Sequence, residues 1–392
     1  MNRKEEKRIL FFQPSTSRGG AEEYAINFCL QAKRRGYKVF FAIPNNPNTT
    51  SIRNELRDAG VRVLSFRSKT DYYMCSRTNL LKRIHAFLNI LESIFYALYY
   101  RVDKVLINLP SPYVGFSIIE GVSFLRKRCL VIFQLLGDHH SFKSDYIKKC
   151  FHQSMKNNKE LQWICVSNNN MNLANQIFEI PKEDIKLIHH GVKPFDVMDK
   201  FDKIGLRNLI LKRLNIEEPS IVFCSTGRLS KQKGYEFVLE AFPQLLKENK
   251  NAYYLILGSG EQRKELQNLI DERELSKHVL LLGYKKNVIE YLNAADIYLF
   301  PSVFEGLAFS LIEAMSAGLP IIASDKGPIP ELIEHKKTGL LMDINDSQDV
   351  LEKLKWGIEN MDKMSGFGIN ARRKSLSFTD KISFDLIFET LN

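Results

Sequence analysis

Short apolar runs that alternate with helix-length segments are the feature that most constrains how this chain folds. Arg8 to Gln13 (RILFFQ) is followed by a Gly-Gly break, a stretch of helical spacing from Ala21 to Arg35, and a second run, Lys38 to Ile43 (KVFFAI). This order predicts a βαβ unit. Continued over the whole chain, the alternation predicts an α/β fold with doubly wound parallel sheets.

The apolar runs form two groups. In the first half they continue at Val61 to Phe66, Lys104 to Asn108, Cys129 to Leu135, Gln162 to Val166 and Ile185 to Ile188. In the second half they occur at Ser220 to Ser225, Tyr253 to Leu257, Val279 to Leu282, Ile297 to Phe300 and Pro320 to Ala323. Because 392 residues exceed the usual size of a single core, two Rossmann-like domains are expected.

The boundary between the domains is expected in Gly191 to Lys203, which lacks strong periodicity and carries proline and charges, as a linker does. We therefore predict an N-terminal domain at residues 1–195 and a C-terminal domain at residues 196–375. Segment 376–392 has apolar residues at helical spacing from Asp380 to Leu391. We expect it to pack back on the N-terminal domain as a helix.

Composition places the chain among ordinary folded proteins, with 44% hydrophobic and 26% charged residues. We see neither a signal peptide nor an apolar stretch of membrane-spanning length, and we expect a cytoplasmic location. Six cysteines are scattered without a Cys-x-x-Cys pair, so we expect neither a zinc site nor a disulfide framework.

Net charge is distributed unevenly along the chain. Residues 1–200 hold 31 Lys and Arg against 18 Asp and Glu, or +13, whereas residues 201–392 hold 25 against 27, or −2. A basic half favours anionic partners such as a phospholipid surface or a phosphate-bearing substrate. A merely soluble basic surface explains the same excess equally well.

Ligands of doubly wound sheets bind beyond the carboxyl ends of the strands, so two such domains facing each other would form a cleft lined by strand-end loops. One such loop, Thr16 to Glu22 (TSRGGAE), has Gly19 and Gly20 opening a helix, where backbone N–H groups can approach an anion. A tight turn without a ligand explains this glycine pair equally well.

A second loop, in Ser225 to Phe242 (STGRLSKQKGYEFVLEAF), directly follows a predicted strand and carries Arg228 and Lys233. Arginine can hold phosphate oxygens in a bidentate manner, and lysine adds a point charge. A solvated basic loop is the alternative. The position at a strand end in the half that is not basic favours phosphate binding.

A third loop lies in Phe304 to Pro320 (FEGLAFSLIEAMSAGLP), where Glu305 precedes a helix predicted from about Phe309 to Gly318 and Glu313 lies within it. Both carboxylates can approach the same cleft as the free amides of the first turn. Taken alone, the stretch is explained most simply by Glu305 as a cap and Glu313 as a solvated side chain.

Two absences restrict the chemistry. The stretch LGSGEQRKEL begins like a dinucleotide fingerprint but has Arg263 at the third glycine position, and no P-loop sequence occurs. No Asp-x-Asp and no cluster at metal-ligand spacing occurs either, so the charge on a leaving phosphate would be neutralised by protein groups.

These residues together resemble the family-four retaining glycosyltransferases of the GT-B fold. The matching segments are GGAE at 19–22, ICVSN at 164–168, IHHGV at 188–192, GRLSKQKG at 227–234, LILGSGE at 255–261 and FEGLAFSLIEAMSAGLPIIAS at 304–324. The last contains the pair of glutamates separated by seven residues. GPIPELI and KKTGLLMD continue the resemblance through Asp343.

The resemblance implies a role for each matching residue. Arg228 and Lys233 would hold the donor pyrophosphate, Glu313 the ribose hydroxyls and Glu305 the donor sugar. The family transfers a sugar from a nucleotide donor with retention and without a metal, and the leaving phosphate is usually proposed to take the proton of the acceptor. The further donor-binding positions implied are Gly19, Gly20, Gly227, Gly258, Gly260, Glu261, Gly306, Leu307, Ala308 and Phe309.

The chain also departs from the family pattern. The family often has a histidine at a strand end of the first domain, where this chain has Leu136, with His139 and His140 shortly after it. We take His139 as the candidate catalytic histidine, with His140 as the alternative. Other departures are Ala308 and Pro328 in place of glycines and His190 in place of asparagine.

Acceptor recognition belongs to the first domain of this fold. There, the helix predicted at Asn79 to Val102 has an apolar stripe of Leu80, Ile84, Phe87, Leu88, Leu91, Phe95 and Leu98. Such a stripe is more often part of a core. Together with the basic charge it also motivates the hypothesis of peripheral attachment to the inner face of an anionic cell membrane and a lipid-linked acceptor.

We therefore expect a metal-independent retaining glycosyltransferase of the hexosyl or N-acetylhexosaminyl type that acts in cell-surface polysaccharide assembly. Its donor would be a nucleotide-diphosphate sugar, its acceptor a glycan or lipid-linked glycan, and we expect no cofactor and no nucleic-acid partner. The alternatives are a nucleotide-sugar epimerase of the same fold and a non-catalytic basic protein that binds lipid or nucleic acid.

Overall fold

The computed structural model describes residues 7–15, 18–66, 80–111, 114–136, 145–196 and 198–392. The chain divides into two compact units. The first comprises Met1–His189 and Ser383–Asn392, and the second comprises His190–Ile382. The division falls between His189 and His190, a few residues before the expected boundary at 195/196.

The position of this division has a local cause in the second unit. The Phe195 amide donates to Ser316 Oγ at 2.9 Å, and Arg372 Nη2 donates to the Phe195 carbonyl at 2.8 Å. Val192 forms a bridge with Thr379. Residues that the sequence analysis assigned to a linker are therefore fixed within the second unit.

The first unit is built around a seven-stranded parallel sheet with the strand order β3-β2-β1-β4-β5-β6-β7. Its strands are β1 Arg8–Phe12, β2 Lys38–Pro44, β3 Arg62–Phe66, β4 Lys104–Leu109, β5 Arg128–Phe133, β6 Leu161–Cys165 and β7 Ile185–Leu187. Its helices are α1 Gly20–Arg34, α2 Thr50–Asp58, α3 Leu80–Tyr99, α4 Phe116–Ser123, α5 Asp145–Asn157 and α6 Asn168–Phe178.

Both faces of this sheet are covered, so its strands are nearly continuous apolar sequences. Ile9 to Phe12 of β1 are completely buried, and Phe133 of β5 stacks on Trp163 of β6 with ring centroids 5.6 Å apart. Ser167 caps α6 by accepting from the Asn170 amide at 3.1 Å.

The second unit contains a six-stranded parallel sheet with the order β10-β9-β8-β11-β12-β13. Its strands are β8 Ile221–Thr226, β9 Ala252–Leu257, β10 Val279–Gly283, β11 Ile297–Phe300, β12 Ile321–Ser324 and β13 Leu340–Met342. Its helices are α7 Lys200–Arg213, α8 Tyr235–Glu248, α9 Arg263–Glu272, α10 Val288–Ala294, α11 Phe309–Ala317, α12 Ile329–Leu332, α13 Ser347–Glu359 and α14 Met361–Ser375.

The last helix, α15 Asp380–Leu391, starts in the second unit, and its residues from Ser383 onward belong to the first. Phe388 stacks on Phe28 of α1 with ring centroids 4.9 Å apart, and Phe384 lies 5.2 Å from Tyr24. The apolar residues of the C-terminal segment are thus buried against α1.

In both sheets the strand order reverses beside the first strand of the unit. The reversal lies between β1 and β4 in the first sheet and between β8 and β11 in the second. Such a switch point opens a crevice at the carboxyl ends of the two strands, where ligands of doubly wound sheets bind. The predicted α/β class with two Rossmann-like parallel sheets is confirmed.

Helix α3 shows that the expectation of an ordinary core helix is wrong. Five residues of the predicted stripe are exposed, by 45% to 58%: Ile84, Phe87, Leu91, Phe95 and Leu98. The face that packs on the unit instead carries the small or polar residues Ala86, Asn89, Ser93 and Ala97. A tight approach of α4 explains this, because only small side chains fit between the two helices.

Two further expectations concern membranes and cysteines. Within the described ranges, no helix combines the length and apolar character needed to cross a membrane. Among the cysteines whose side chains are described, Cys29, Cys129, Cys165 and Cys224 are buried free thiols. Burial raises the pKa of each of these four thiols, so they stay protonated at neutral pH.

Candidate functional site

An ion pair joins the two loops at the switch point of the second sheet. Lys233 Nζ, in the short 3₁₀ helix after β8, lies 2.6 Å from Glu305 Oε1, in the loop after β11. The two side chains are only 14% and 8% exposed. Lys233 Nζ also lies 5.1 Å from the centre of the Phe300 ring, a cation–π contact. Of the predicted residues, these two are therefore in direct contact.

Gln232 fixes the same two loops to each other. Its carbonyl accepts from the Val303 amide at 2.8 Å, and its Nε2 donates to the Phe304 carbonyl at 2.9 Å. A longer contact of 3.4 Å joins Nε2 to Glu305 Oε2. The Glu305 carboxylate is thus held by a cation on one oxygen and an amide on the other. This excludes the simple helix-capping role that the stretch suggests when taken alone.

Arg228 occupies a different environment in the same loop. Its side chain is exposed and, within the described part of the chain, pairs with no carboxylate. Because no carboxylate of the described residues neutralises it, this guanidinium at the carboxyl end of β8 is available to an anionic ligand.

The loop carrying Arg228 is packed against the loop after β9, backbone to backbone. The Leu229 amide donates to the Ser259 carbonyl at 3.0 Å. Gly258 has φ +147, and a Cβ there would lie 1.7 Å from the Gly227 carbonyl oxygen. A Cβ on Gly260 would lie 2.3 Å from the Leu229 carbonyl oxygen. Only glycine therefore fits at positions 258 and 260, because any Cβ there would clash with the neighbouring backbone. Glu261, the next residue, is exposed.

Helix α11 begins directly after the Glu305 loop. Its N-cap residue is Ala308, and no described side chain caps it. The preceding residues Gly306 and Leu307 are buried, Phe309 and Glu313 are half-buried, and Gly318 ends the helix in the left-handed conformation. The first-turn amides and their dipole thus lie beside Glu305 at the switch point.

Two residues missed by the sequence analysis link these parts. Tyr298 OH lies 2.9 Å from Thr226 Oγ1 and also hydrogen-bonds Ser310, in the first turn of α11. Burial raises the pKa of Tyr298, so its phenol is neutral. Gln232 is the other. The available signals were a tyrosine inside the short apolar strand β11 and a glutamine between two lysines.

His190 lies next to the same helix. Its ring is buried and stacks on Phe309, with centroids 5.1 Å apart and planes 14° apart. His190, which stands in place of the family's asparagine, therefore contacts the first residue of α11. Replacing the His190 side chain would alter the packing at the start of the helix.

The predicted residues of the first unit lie at the start of α1. Gly19 is its N-cap and Gly20 its first residue. Behind them, Gln13 Nε2 donates to Glu22 Oε1 at 3.0 Å, and Asn108 Nδ2 donates to Gln13 Oε1 at 2.7 Å. These three side chains are buried and connect the carboxyl ends of β1 and β4 to the helix.

His139 and His140 lie outside the described residues, and the role of His139 stays a prediction. Leu136, the last described residue before them, is buried. Within the described ranges, no group of three or more His, Cys, Asp or Glu is arranged to hold a metal ion.

Residues 207–374, which include Arg228, Lys233 and Glu305 at the switch point of the second sheet, match the family of glycosyl transferases group 1. This part of the chain is therefore similar to the group 1 glycosyltransferases. This confirms the predicted resemblance at the level of the family.

The chain is also similar to curated proteins that are named as glycosyltransferases. A UDP-Gal:alpha-D-GlcNAc-diphosphoundecaprenol alpha-1,3-galactosyltransferase of Escherichia coli is 29% identical over 195 residues, 49% of each chain. An uncharacterized glycosyltransferase of Haemophilus influenzae is 25% identical over 360 residues, 90% of this chain and 91% of that protein. The chain spans only 32% to 55% of the length of the first curated relatives that it matches.

Solved structures show the same fold. The Anabaena protein Alr3699/HepE, in complex with UDP, superposes with a TM-score of 0.78 over 98% of this chain and 99% of that one, at 20% identity. The likeness concerns the fold alone. With it, the predicted GT-B fold class is confirmed for this chain.

Proposed function

We propose that the protein is a retaining glycosyltransferase that moves a hexosyl or N-acetylhexosaminyl group from a nucleotide-diphosphate sugar to a glycan or lipid-linked acceptor. The observation that carries this proposal is the largely buried Lys233–Glu305 pair, set between the exposed Arg228 and the start of α11. A cation for phosphate and a carboxylate for hydroxyls meet there at a topological switch point.

On the phosphate side, Arg228 and the first-turn amides of α11 would bind the oxygens of the pyrophosphate. Lys233 would share its charge between Glu305 and the nearer phosphate. The glycine-only contacts at Gly258 and Gly260 let a ligand approach the backbone closely. These groups supply the charge stabilisation that leaving-group departure requires, and we propose that the reaction needs no metal.

On the sugar side, Glu305 would accept hydrogen bonds from donor hydroxyls. Glu313, one turn after the first residue of α11, would bind the ribose. The pair with Lys233 keeps the Glu305 carboxylate oriented before the donor arrives. In the proposed chemistry, the bond from the anomeric carbon to the leaving phosphate breaks, and the acceptor oxygen bonds to the same face. The leaving phosphate takes the acceptor proton, so no side chain has to act as base.

The relatives suggest which ligands to test first. The Escherichia coli relative uses UDP-Gal and a diphosphoundecaprenol-linked acceptor by its name, and the Anabaena structure holds UDP. We propose a uridine-diphosphate hexose as the donor and a lipid-linked diphosphate sugar as the acceptor class. The protein would act in cell-surface polysaccharide assembly on the cytoplasmic side of the membrane.

Binding is tested by thermal shift with a panel of nucleotides and nucleotide sugars. A ligand at a hundred times its Kd stabilises the native state by about 2.7 kcal/mol. The shift should persist when EDTA is present. If no nucleotide or nucleotide sugar raises the melting temperature, the proposal is wrong.

Catalysis is tested with Glu305→Gln, which keeps the size of the side chain and removes its charge. We expect transfer to fall by about 10² to 10³-fold, with UDP affinity changed only a few-fold. Glu272→Gln, at an exposed position of α9, is the matched control and should be fully active. Proton NMR of the product should show the anomeric configuration of the donor. Sugar interconversion without any acceptor would instead indicate the epimerase.

A further inference from the structure

Helix α3 presents a continuous apolar stripe to solvent. The residues Ile84, Phe87, Leu91, Phe95 and Leu98 recur at intervals of three and four and therefore share one helix face. They are 45% to 58% exposed, and Tyr99 at the end of the helix is 65% exposed. Single exposed apolar residues are common, but a contiguous stripe of this kind marks an interaction surface.

The opposite face of α3 is fixed to the first unit by polar contacts. Asn89 Nδ2 donates to Ser117 Oγ of α4 at 3.2 Å, and both side chains are buried. A Cβ on Gly121 would lie 2.1 Å from Ser93 Oγ, so the two helices touch almost backbone to backbone. Rolling the helix to bury the aromatic side chains would break these contacts and force large residues into this narrow space.

A further exposed apolar residue lies near the end of α3. Because the contacts Asn89–Ser117 and Ser93–Gly121 are in parallel register, the end of α4 lies beside the last turn of α3. Phe124, at that end, is 59% exposed. We call these residues of α3, together with Tyr99 and Phe124, the α3 stripe.

The charges around the α3 stripe are mainly positive. Lys82 and Arg83 stand in the first turn of α3, Arg101 follows its last turn and is exposed, and Arg126 is exposed next to Phe124. The acidic residues on or beside the two helices are Glu92, Asp103 and Glu120. Glu92 accepts from Tyr96 OH at 3.1 Å, Asp103 accepts from the Arg8 amide at 2.7 Å, and Glu120 is half-buried. The exposed cations that the structure describes, Arg101 and Arg126, therefore follow the ends of α3 and α4.

We propose that the α3 stripe docks the protein on an anionic lipid surface, with the helix lying in the plane of the membrane interface. An apolar face rich in aromatic residues and bordered by lysine and arginine is the composition that binds such an interface. The basic excess of +13 in residues 1–200, from 31 basic and 18 acidic side chains, adds long-range attraction to anionic headgroups. This inference is independent of the proposed transferase activity.

Flotation with vesicles tests the docking. The full chain is mixed at low salt with vesicles of phosphatidylcholine alone or of phosphatidylcholine with phosphatidylglycerol. We expect binding to the anionic vesicles that weakens as salt is raised. The double variant Phe87→Ser/Phe95→Ser should bind them more weakly by a factor of about ten or more, since each ring loses the apolar area that it would insert.

A matched control keeps this result interpretable. Ile369→Ser/Leu376→Ser removes two apolar side chains of the second unit that are 55% and 56% exposed, and it should bind the vesicles like the unchanged protein. Both double variants should melt within a few degrees of the unchanged chain, because the residues are on the surface. Equal binding by the two double variants would overturn the proposal.

Two further outcomes separate the alternatives. If sedimentation shows a dimer that Phe87→Ser/Phe95→Ser dissociates, and the unchanged chain binds no vesicles, the stripe is an interface between copies and the lipid proposal is wrong. Transfer to a water-soluble acceptor should be the same for both double variants. An inactive chain that still floats with anionic vesicles would count against the proposed function and support the docking.

Discussion

Removing the cation from the Lys233–Glu305 pair should destabilise the second unit strongly. In Lys233→Met the side chain keeps most of its length. Among the described residues, the 3.4 Å contact to Gln232 is then the one polar contact left to the Glu305 carboxylate, which is 8% exposed. Breaking a buried pair from one side typically costs about 3 to 5 kcal/mol. Because both side chains keep a small contact with water, we expect the lower end, about 3 kcal/mol in the free energy of unfolding.

This loss corresponds to a large change in melting temperature. For a unit of this size, 1 kcal/mol shifts the midpoint by about 2 to 4 °C, so we expect a decrease of about 6 to 12 °C by differential scanning fluorimetry without nucleotide. The control is Lys337→Met, whose partner Glu334 lies 3.4 Å away with side chains 75% and 47% exposed. An exposed pair of this kind contributes less than about 0.5 kcal/mol, which is a shift of one or two degrees at most.

The double variant Lys233→Met/Glu305→Gln identifies the cause. It removes the unpaired carboxylate, so it should recover at least half of the lost stability, about 1.5 kcal/mol or more. Should Lys233→Met melt no lower than Lys337→Met, the pair is not desolvated as the structure shows it. Should the double variant be as unstable as the single one, the lost packing of Lys233, rather than a buried charge, is responsible.

Four further substitutions test other parts of the second unit. Gly258→Ala should lower the free energy of unfolding by about 2 to 4 kcal/mol because its Cβ meets a carbonyl oxygen, whereas Gly366→Ala, with open space on α14, should raise it by about 0.5 kcal/mol; urea unfolding measures both. Arg228→Ala should weaken UDP binding by about 10 to 100-fold in calorimetry without changing the melting temperature, since its only expected partner is the ligand. Arg207→Met removes the cation 3.0 Å from Asp296 and should cost about 3 kcal/mol at pH 7. Burial raises the pKa of Asp296 above its ordinary value of 3.8, so this cost should shrink as the pH falls through the raised pKa and the carboxyl takes a proton; a cost that grew instead would contradict the assignment.

The fold was predictable because the strands of both sheets are buried on both faces. Continuous apolar sequences such as RILFF in β1 and KVFFAIP in β2 therefore marked the strands to within about two residues. Strand β13 was missed, because Leu340–Met342 has three residues and is too short for any periodicity. The expected linker was wrong in part, because α7 begins at Lys200 with Asp199 capping it through the Asp202 amide.

The site was predictable only as a set of loops. Arg228, Lys233 and Glu305 could be placed at strand ends, since parallel strands share one carboxyl edge. The sequence could not predict which cation contacts Glu305. Lys233 lies 72 residues from Glu305, and Arg228 carries the same charge and is nearer the strand. The contact is determined by the 3₁₀ helix at Lys231–Lys233, which directs Lys233 toward the β11 loop and leaves Arg228 exposed.

Helix α3 marks a different limit of prediction from sequence. The spacing of apolar residues along a helix shows which face is apolar, and the usual assumption is that this face points to the core. Here the face of Asn89 and Ser93 points inward instead, because Asn89 donates to Ser117 Oγ and the small side chain of Ser93 allows Gly121 to approach closely. Those partners lie on α4, which is separated from α3 in the sequence by strand β4. They cannot be predicted from the sequence of α3 alone. A helix that buries its small polar residues against the protein leaves its aromatic, apolar face in water. That face is removed from water only if another apolar surface covers it. The orientation of α3 therefore could not be predicted from its own sequence. Because its apolar face is the exposed one, the vesicle experiment is the decisive measurement for this helix.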